Sequence, residues 1–120
     1  MSDIRPFRGI RPRPDLTAAI AAPPYDVVDF DEARAYVADR PHSFLRVEKS
    51  EIQLEKGLET LDPRIFEKGR ETLQAWLAEG LLVRDGSPSF YLYRQRMGAH
   101  EQTGVVAGAS VAEYQRDLIK

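Results

Sequence analysis

Between residues 62 and 80 the apolar positions Ile65, Phe66, Gly69, Leu73, Trp76 and Leu77 recur at three- and four-residue intervals, the spacing of one helical face. Asp62 offers a side-chain acceptor to the first N–H groups and Pro63 suits the first helical position, so the segment predicts a capped helix that Gly80 ends. A shorter stripe of Phe30, Ala33 and Val37 follows Asp29 and Glu32 at capping-box spacing and stops at Pro41, which predicts a helix over roughly residues 30–39. Residues 43–48 alternate instead. Leu45 and Val47 fall on one side and Phe44, Arg46 and Glu48 on the other, the two-residue period of a strand. Residues 49–61 carry charges without a period, and Gly57 weakens any helix there, so they predict a loop with at most a helical turn.

Residues 81–83 and 90–93 flank the turn-rich Asp85-Gly86-Ser87-Pro88 and predict a hairpin. Residues 97–102 read as a second connector and residues 103–109 as a further strand, which together make an antiparallel meander. Six prolines (Pro6, Pro12, Pro14, Pro23, Pro24 and Pro41) fall in the first third of the chain and keep it largely extended, with residues 7–11 suited to a short edge strand. Ser110 and Glu113 repeat the capping-box form, and Tyr114 and Leu118 lie four apart, so a helix begins at about residue 111. Such a capped but short helix reads as the start of a longer one, and the chain as a fragment of a longer protein; a short docked terminal helix is the alternative. The fold class is α+β: a small, mainly antiparallel sheet with about three helices, the N-terminal part of a larger α+β protein.

Composition narrows the chemistry. At 120 residues, 42% hydrophobic and 30% charged, the chain has the size and make-up of one globular domain, residues 1–120. The absence of cysteine excludes disulfide scaffolds, thiolate metal sites and thiol nucleophiles, and suits a cytoplasmic location; with only His42 and His100, no metal site is expected either. A net charge of −2 from 17 basic and 19 acidic residues disfavours a general nucleic-acid or membrane-surface binder. The charge-free apolar run from Leu16 to Tyr25, broken by Pro23 and Pro24, falls far short of the roughly 20 residues of a membrane span.

Two segments carry candidate chemistry. In Ala22-Pro23-Pro24-Tyr25-Asp26-Val27-Val28 the prolines stiffen the approach and allow a cis bond, either to present Tyr25 and Asp26 in a fixed orientation or to make a rigid surface turn with Tyr25 on the core and Asp26 capping. In Pro41-His42-Ser43-Phe44-Leu45-Arg46-Val47-Glu48, Arg46 and Glu48 share a strand face, as a solvated ion pair or as a carboxylate- or phosphate-binding arginine oriented by Glu48, and His42 is a candidate acid or base. Tyr91, Tyr93, Arg94 and Arg96 interleave aromatic and basic residues, a pattern that a half-buried meander strand also explains. No P-loop, dinucleotide fingerprint, zinc-protease motif or nucleophile elbow occurs.

Residues 6–12 (Pro-Phe-Arg-Gly-Ile-Arg-Pro), Pro23-Pro24-Tyr25-Asp26-Val27-Val28, His42-Ser43-Phe44-Leu45-Arg46-Val47-Glu48 and Thr103-Gly104-Val105-Val106-Ala107 together resemble the start of a prokaryotic family, the domain-of-unknown-function family numbered 1015. That family is distantly similar to the ParB/sulfiredoxin-like superfamily, which includes free L-serine kinases with an Asp-Gly-His-His-Arg-like motif for phosphate and substrate. No such motif stands in this sequence. The resemblance therefore implies the N-terminal part of a phosphoryl-transfer protein, with Tyr25, Asp26, His42, Arg46 and Glu48 lining a pocket completed elsewhere and Arg46 as the anion contact. It implies no cofactor in this portion, nucleotide and Mg²⁺ in the parent, and as partners the C-terminal part of the parent, a nucleotide and a small amino acid. An exposed apolar face, or a contact between copies in a homo-oligomer, is expected of a part standing alone. The competing reading is a non-enzymatic interaction module: a winged-helix-like nucleic-acid binder built on residues 62–96 with Arg84, Arg94 and Arg96, or a structural docking domain.

Overall fold

The structure, a computed structural model, describes residues 3–116. It is α+β and divides into two compact units: a contiguous one, Arg11–Val83, and a discontinuous one made of Met1–Ile10 with Arg84–Lys120.

The contiguous unit is helical. A 3-10 turn at Pro14–Leu16 leads into α1 (Thr17–Ile20), followed by α2 (Phe30–Val37), α3 (Leu45–Glu48), a 3-10 turn at Ser50–Gln53 and α4 (Pro63–Ala78). The cap signals work as written. Glu32 N donates to Asp29 Oδ1 at 2.8 Å while Asp29 N donates to Glu32 Oε1 at 3.3 Å, and Arg64 N donates to Asp62 Oδ1 at 2.9 Å. Gly80, at φ 77°, turns the chain out of α4 and lets Leu81 N donate to Trp76 O at 2.9 Å.

These caps set a pH dependence. Asp29 is held below the ordinary carboxylate range, chiefly by the Glu32 backbone N–H, and Asp62 chiefly by the Arg64 side chain. A carboxylate whose folded pKa is depressed adds stability above its unfolded value, near 4, and loses that contribution as pH falls through the folded value. The melting temperature is expected to fall on acidification below about pH 4, and to fall less steeply in the Asp29→Asn/Asp62→Asn variant. Parallel slopes in thermal melts would contradict this assignment.

Every buried apolar residue among the described residues lies in the helical unit, in two clusters. Ile20, Trp76, Leu81 and Leu82 form one; Ala33, Val37, Leu45 and Ile52 form the other. On α4, Trp76 is buried and Leu73 and Leu77 pack beside it, but Phe66, part of the predicted stripe, is 60% exposed. At Gly69 α4 comes close to its neighbours: a Cβ there would lie 3.2 Å from Val47 O and 3.3 Å from Ser50 Oγ. Polar rungs reinforce that approach. Ser50 Oγ donates to Ile65 O at 2.6 Å, and Gln53 Nε2 donates to Arg46 O at 2.7 Å and Thr72 Oγ1 at 3.0 Å.

The strand expected at residues 43–48 is instead a turn followed by α3. Its apolar side chains divide between the clusters, Phe44 and Val47 joining the first and Leu45 the second. A single helical turn lodged between two cores thus has apolar residues on both sides, which in sequence mimics strand alternation.

Among the described residues six strands form three two-stranded sheets: β1 (Ile4–Arg5) with β6 (Gly108–Ala109), β2 (Ile10–Pro12) with β3 (Leu82–Arg84), and β4 (Tyr91–Met97) with β5 (His100–Val106). The predicted hairpin of residues 81–83 with 90–93 does not form. Asp85 N donates to Gly9 O at 2.8 Å, and Phe7 and Ser89 exchange backbone bonds at 3.0 and 2.9 Å, so the connector is engaged by the N-terminal segment. The helix-plus-hairpin geometry behind the winged-helix reading is therefore absent. The true hairpin is β4–β5, and the expected connector at residues 97–102 shrinks to Gly98, at φ 61°, and Ala99.

The discontinuous unit, which holds β1, β4, β5 and β6, has no buried apolar residue among the described residues. Tyr91 organises part of it: its hydroxyl accepts from Gly9 N at 2.6 Å and donates to Asp85, its ring packs 5.1 Å from that of Phe7, and Arg8 Nε donates to Asp85 O at 2.7 Å. The β4–β5 strands are exposed on both faces, not half-buried, with Leu92 at 76% and Met97 at 84%. Helix α5 (Val111–Gln115) starts with Glu113 N donating to Ser110 Oγ at 3.3 Å, while Leu118 lies outside the described residues. No helix among the described residues is long and apolar enough to cross a membrane.

Candidate functional site

The Pro23–Pro24 approach ends in a turn at Tyr25 and Asp26, closed by Val27 N donating to Pro24 O at 3.3 Å. Its flanks are fixed, because Ala22 and Val28 both pack on the second core cluster. All described peptide bonds are trans. Between these anchors Tyr25 is 56% exposed and Asp26 is exposed, so Tyr25 does not pack on the core, and the capping carboxylate is that of Asp29. The turn is tied from the other side by Lys49, whose Nζ donates to Tyr25 O at 3.2 Å and pairs with Glu51 at 3.9 Å.

Arg46 and Glu48 do not share a strand face, since they sit on α3. Arg46 is half-buried and reaches back to the C-terminal end of α2: Nη2 donates to Val37 O at 2.7 Å and Nε to Arg40 O at 3.2 Å. A guanidinium suits that position, where carbonyls lack intrahelical partners and the helix dipole is negative. Two of the five N–H groups of a guanidinium are thereby used, leaving Nη1 without a hydrogen bond among the described residues. His42 is half-buried, its ring edge-on to Trp76 with centroids 6.0 Å apart. Glu48 is exposed, and its side chain, like that of Asp26, makes no hydrogen bond or ion pair among the described residues.

The five candidates thus fall into two sets. Tyr25 and Asp26 stand beside the end of α3 through Lys49, the residue after Glu48, whereas Arg46 addresses α2 and His42 addresses α4. No hydrogen bond or ion pair joins any two of the five. Lys49 is the functional-looking residue that the sequence reading passed over; a lysine in a charged stretch without a period gives no signal of a tertiary contact. Chemically, the arrangement offers an unengaged carboxylate and a phenol on a braced turn, a second unengaged carboxylate at the end of α3, and a partly engaged guanidinium two residues before it. No group of three or more metal-ligating side chains gathers among the described residues.

Residues 4–120 match the model of a family described as "Protein of unknown function (DUF1015)". No curated protein and no solved structure compared with the chain matches it.

Proposed function

Because the chain belongs to the DUF1015 family, whose description assigns no activity, we propose that it frames one wall of a phosphoryl-transfer pocket in a ParB-like protein related to free serine kinases. The observation that carries this reading is the Tyr25–Asp26 turn, anchored by Ala22 and Val28 on the core and by Lys49 on its carbonyl, with both side chains left to face a ligand. Tyr25, Asp26 and Glu48 contact the small amino acid substrate. Arg46 offers its unused Nη1 to an anionic group while its other nitrogens hold α2. Nucleotide and Mg²⁺ supply the transferred group and spread its charge, and the Asp-Gly-His-His-Arg-like motif that handles them in such kinases is absent from this sequence.

The chain alone is expected to show no serine-dependent nucleotide turnover. With serine and a Mg²⁺–nucleoside triphosphate present in millimolar amounts, amide shifts in NMR spectra are expected at residues 22–28 and 45–49. Turnover by the purified chain would contradict the framing role, and shifts confined to other residues would contradict the site.

A further inference from the structure

The β4–β5 hairpin is exposed along nearly its whole length. Leu92, Arg94 and Arg96 of β4 lie opposite Val105, Thr103 and Glu101 on one face, and Tyr93, Gln95 and Met97 lie opposite Gly104, Gln102 and His100 on the other. Leu92, Tyr93 and Met97 are 76%, 60% and 84% exposed, and Val105 is 64% exposed. A two-stranded hairpin without a packed face is marginal in water, and its unit has no buried apolar residue among those described.

Among the described residues the outer edge of β4 faces no other strand, because that sheet contains only β4 and β5. Exposed edges are ordinarily blunted by charged side chains, lysine above all, by proline or by short length, and the charges of β4, Arg94 and Arg96, lie on one face alone. Residues 90–106 contain neither proline nor lysine, and β4 runs for seven residues. Charge selects the occupant. Arg94 and Arg96 share one carboxylate, that of Glu101, at 3.4 and 2.8 Å, so that face keeps one positive charge uncompensated next to the apolar Leu92.

We infer that the open edge of β4 is a docking site for an extended polypeptide segment of alternating acidic and apolar residues, which adds to the hairpin as a third strand. Backbone N–H and C=O groups give the strand addition, while acidic side chains opposite Arg94 and Arg96, and apolar ones opposite Leu92, Tyr93 and Met97, give the selectivity.

The probe is a labelled, end-capped peptide VETEVVY, whose antiparallel pairing sets its two glutamates opposite Arg96 and Arg94. With the full chain, anisotropy is expected to show saturable binding and hydrogen exchange to show slowed β4 amides. Binding is expected to weaken about tenfold or more in Arg94→Glu/Arg96→Glu, and less in Arg94→Gln/Arg96→Gln; thermal melts verify that both variants remain folded. N-methylation of one alternate set of peptide amides abolishes binding, and of the other set does not. The inference is overturned by an absence of binding, by the same response to both N-methylated sets, or by equal binding of the lysine counterpart VKTKVVY or a short DNA duplex. It is equally overturned if the free protein is already a dimer with protected β4 amides, since the occupant is then a second copy.

Discussion

Trp76→Ala is expected to destabilise the protein by about 3–5 kcal/mol, the range for removing a buried aromatic side chain and leaving a cavity. Trp76 is 6% exposed and sits with Ile20, Leu81 and Leu82, while Leu16, Phe44, Val47, Leu73 and Leu77 pack around the cluster. It therefore joins α1, α3, α4 and the entry to β3, and no neighbour on one element can close the hole alone. Against a typical total of about 5–15 kcal/mol, such a loss removes much of the folded population in mild denaturant. Because the chain has a single tryptophan, unfolding is followed by far-UV circular dichroism in urea. Phe66→Ala on the same helix is the control: at 60% exposure its cost is expected to stay within about 0.5 kcal/mol. Equal shifts in the two midpoints would refute this placement of the core.

Gly9→Ala is expected to cost about 1–3 kcal/mol through overpacking, although only one methyl is added. A Cβ on Gly9 would lie 2.7 Å from both Cζ and Oη of Tyr91. A tyrosine tip would ordinarily swing away, but this hydroxyl accepts from Gly9 N and donates to Asp85, so moving it breaks the bonds that join the two segments. Tyr91→Phe is expected to cost about 1–2 kcal/mol by leaving polar groups without that hydroxyl. The double variant should cost less than the sum of the single ones, because the displaced ring has already given up the same bonds. Melting curves of the four proteins test the coupling, and strict additivity would separate Gly9 from Tyr91.

Where a structural cause was local, it was legible in the sequence. Asp29 with Glu32, and Asp62 with Pro63, announced α2 and α4 because a cap and its helix lie within a few residues of each other. The hairpin was misplaced because Asp85-Gly86-Ser87-Pro88 has turn chemistry but Asp85 pairs with Gly9 and the following Ser89 with Phe7, and no local pattern records so distant a partner. The alternation at residues 43–48 did not sort the side chains as a strand would, because Leu45 and Val47, expected on one side, lie in different clusters and Val47 shares the first with Phe44. The candidate site divides in the same way. The rigidity of the Pro23–Pro24 approach could be read directly, whereas the hold of Arg46 on Val37 and Arg40, and of Lys49 on Tyr25, depends on how the elements fold back.

The pairing of Ile4 with Ala109 and Arg5 with Gly108 has a kinetic consequence. Both halves of the discontinuous unit must wait for each other across the whole helical segment, whereas α1 to α4 bring together residues of one continuous stretch. Closing the longer loop costs more chain entropy, and contacts of large sequence separation slow folding. The helical unit is thus able to condense while the chain is still emerging during synthesis, and the β1–β6 pair forms only when residues 108 and 109 become free to meet a strand made long before them.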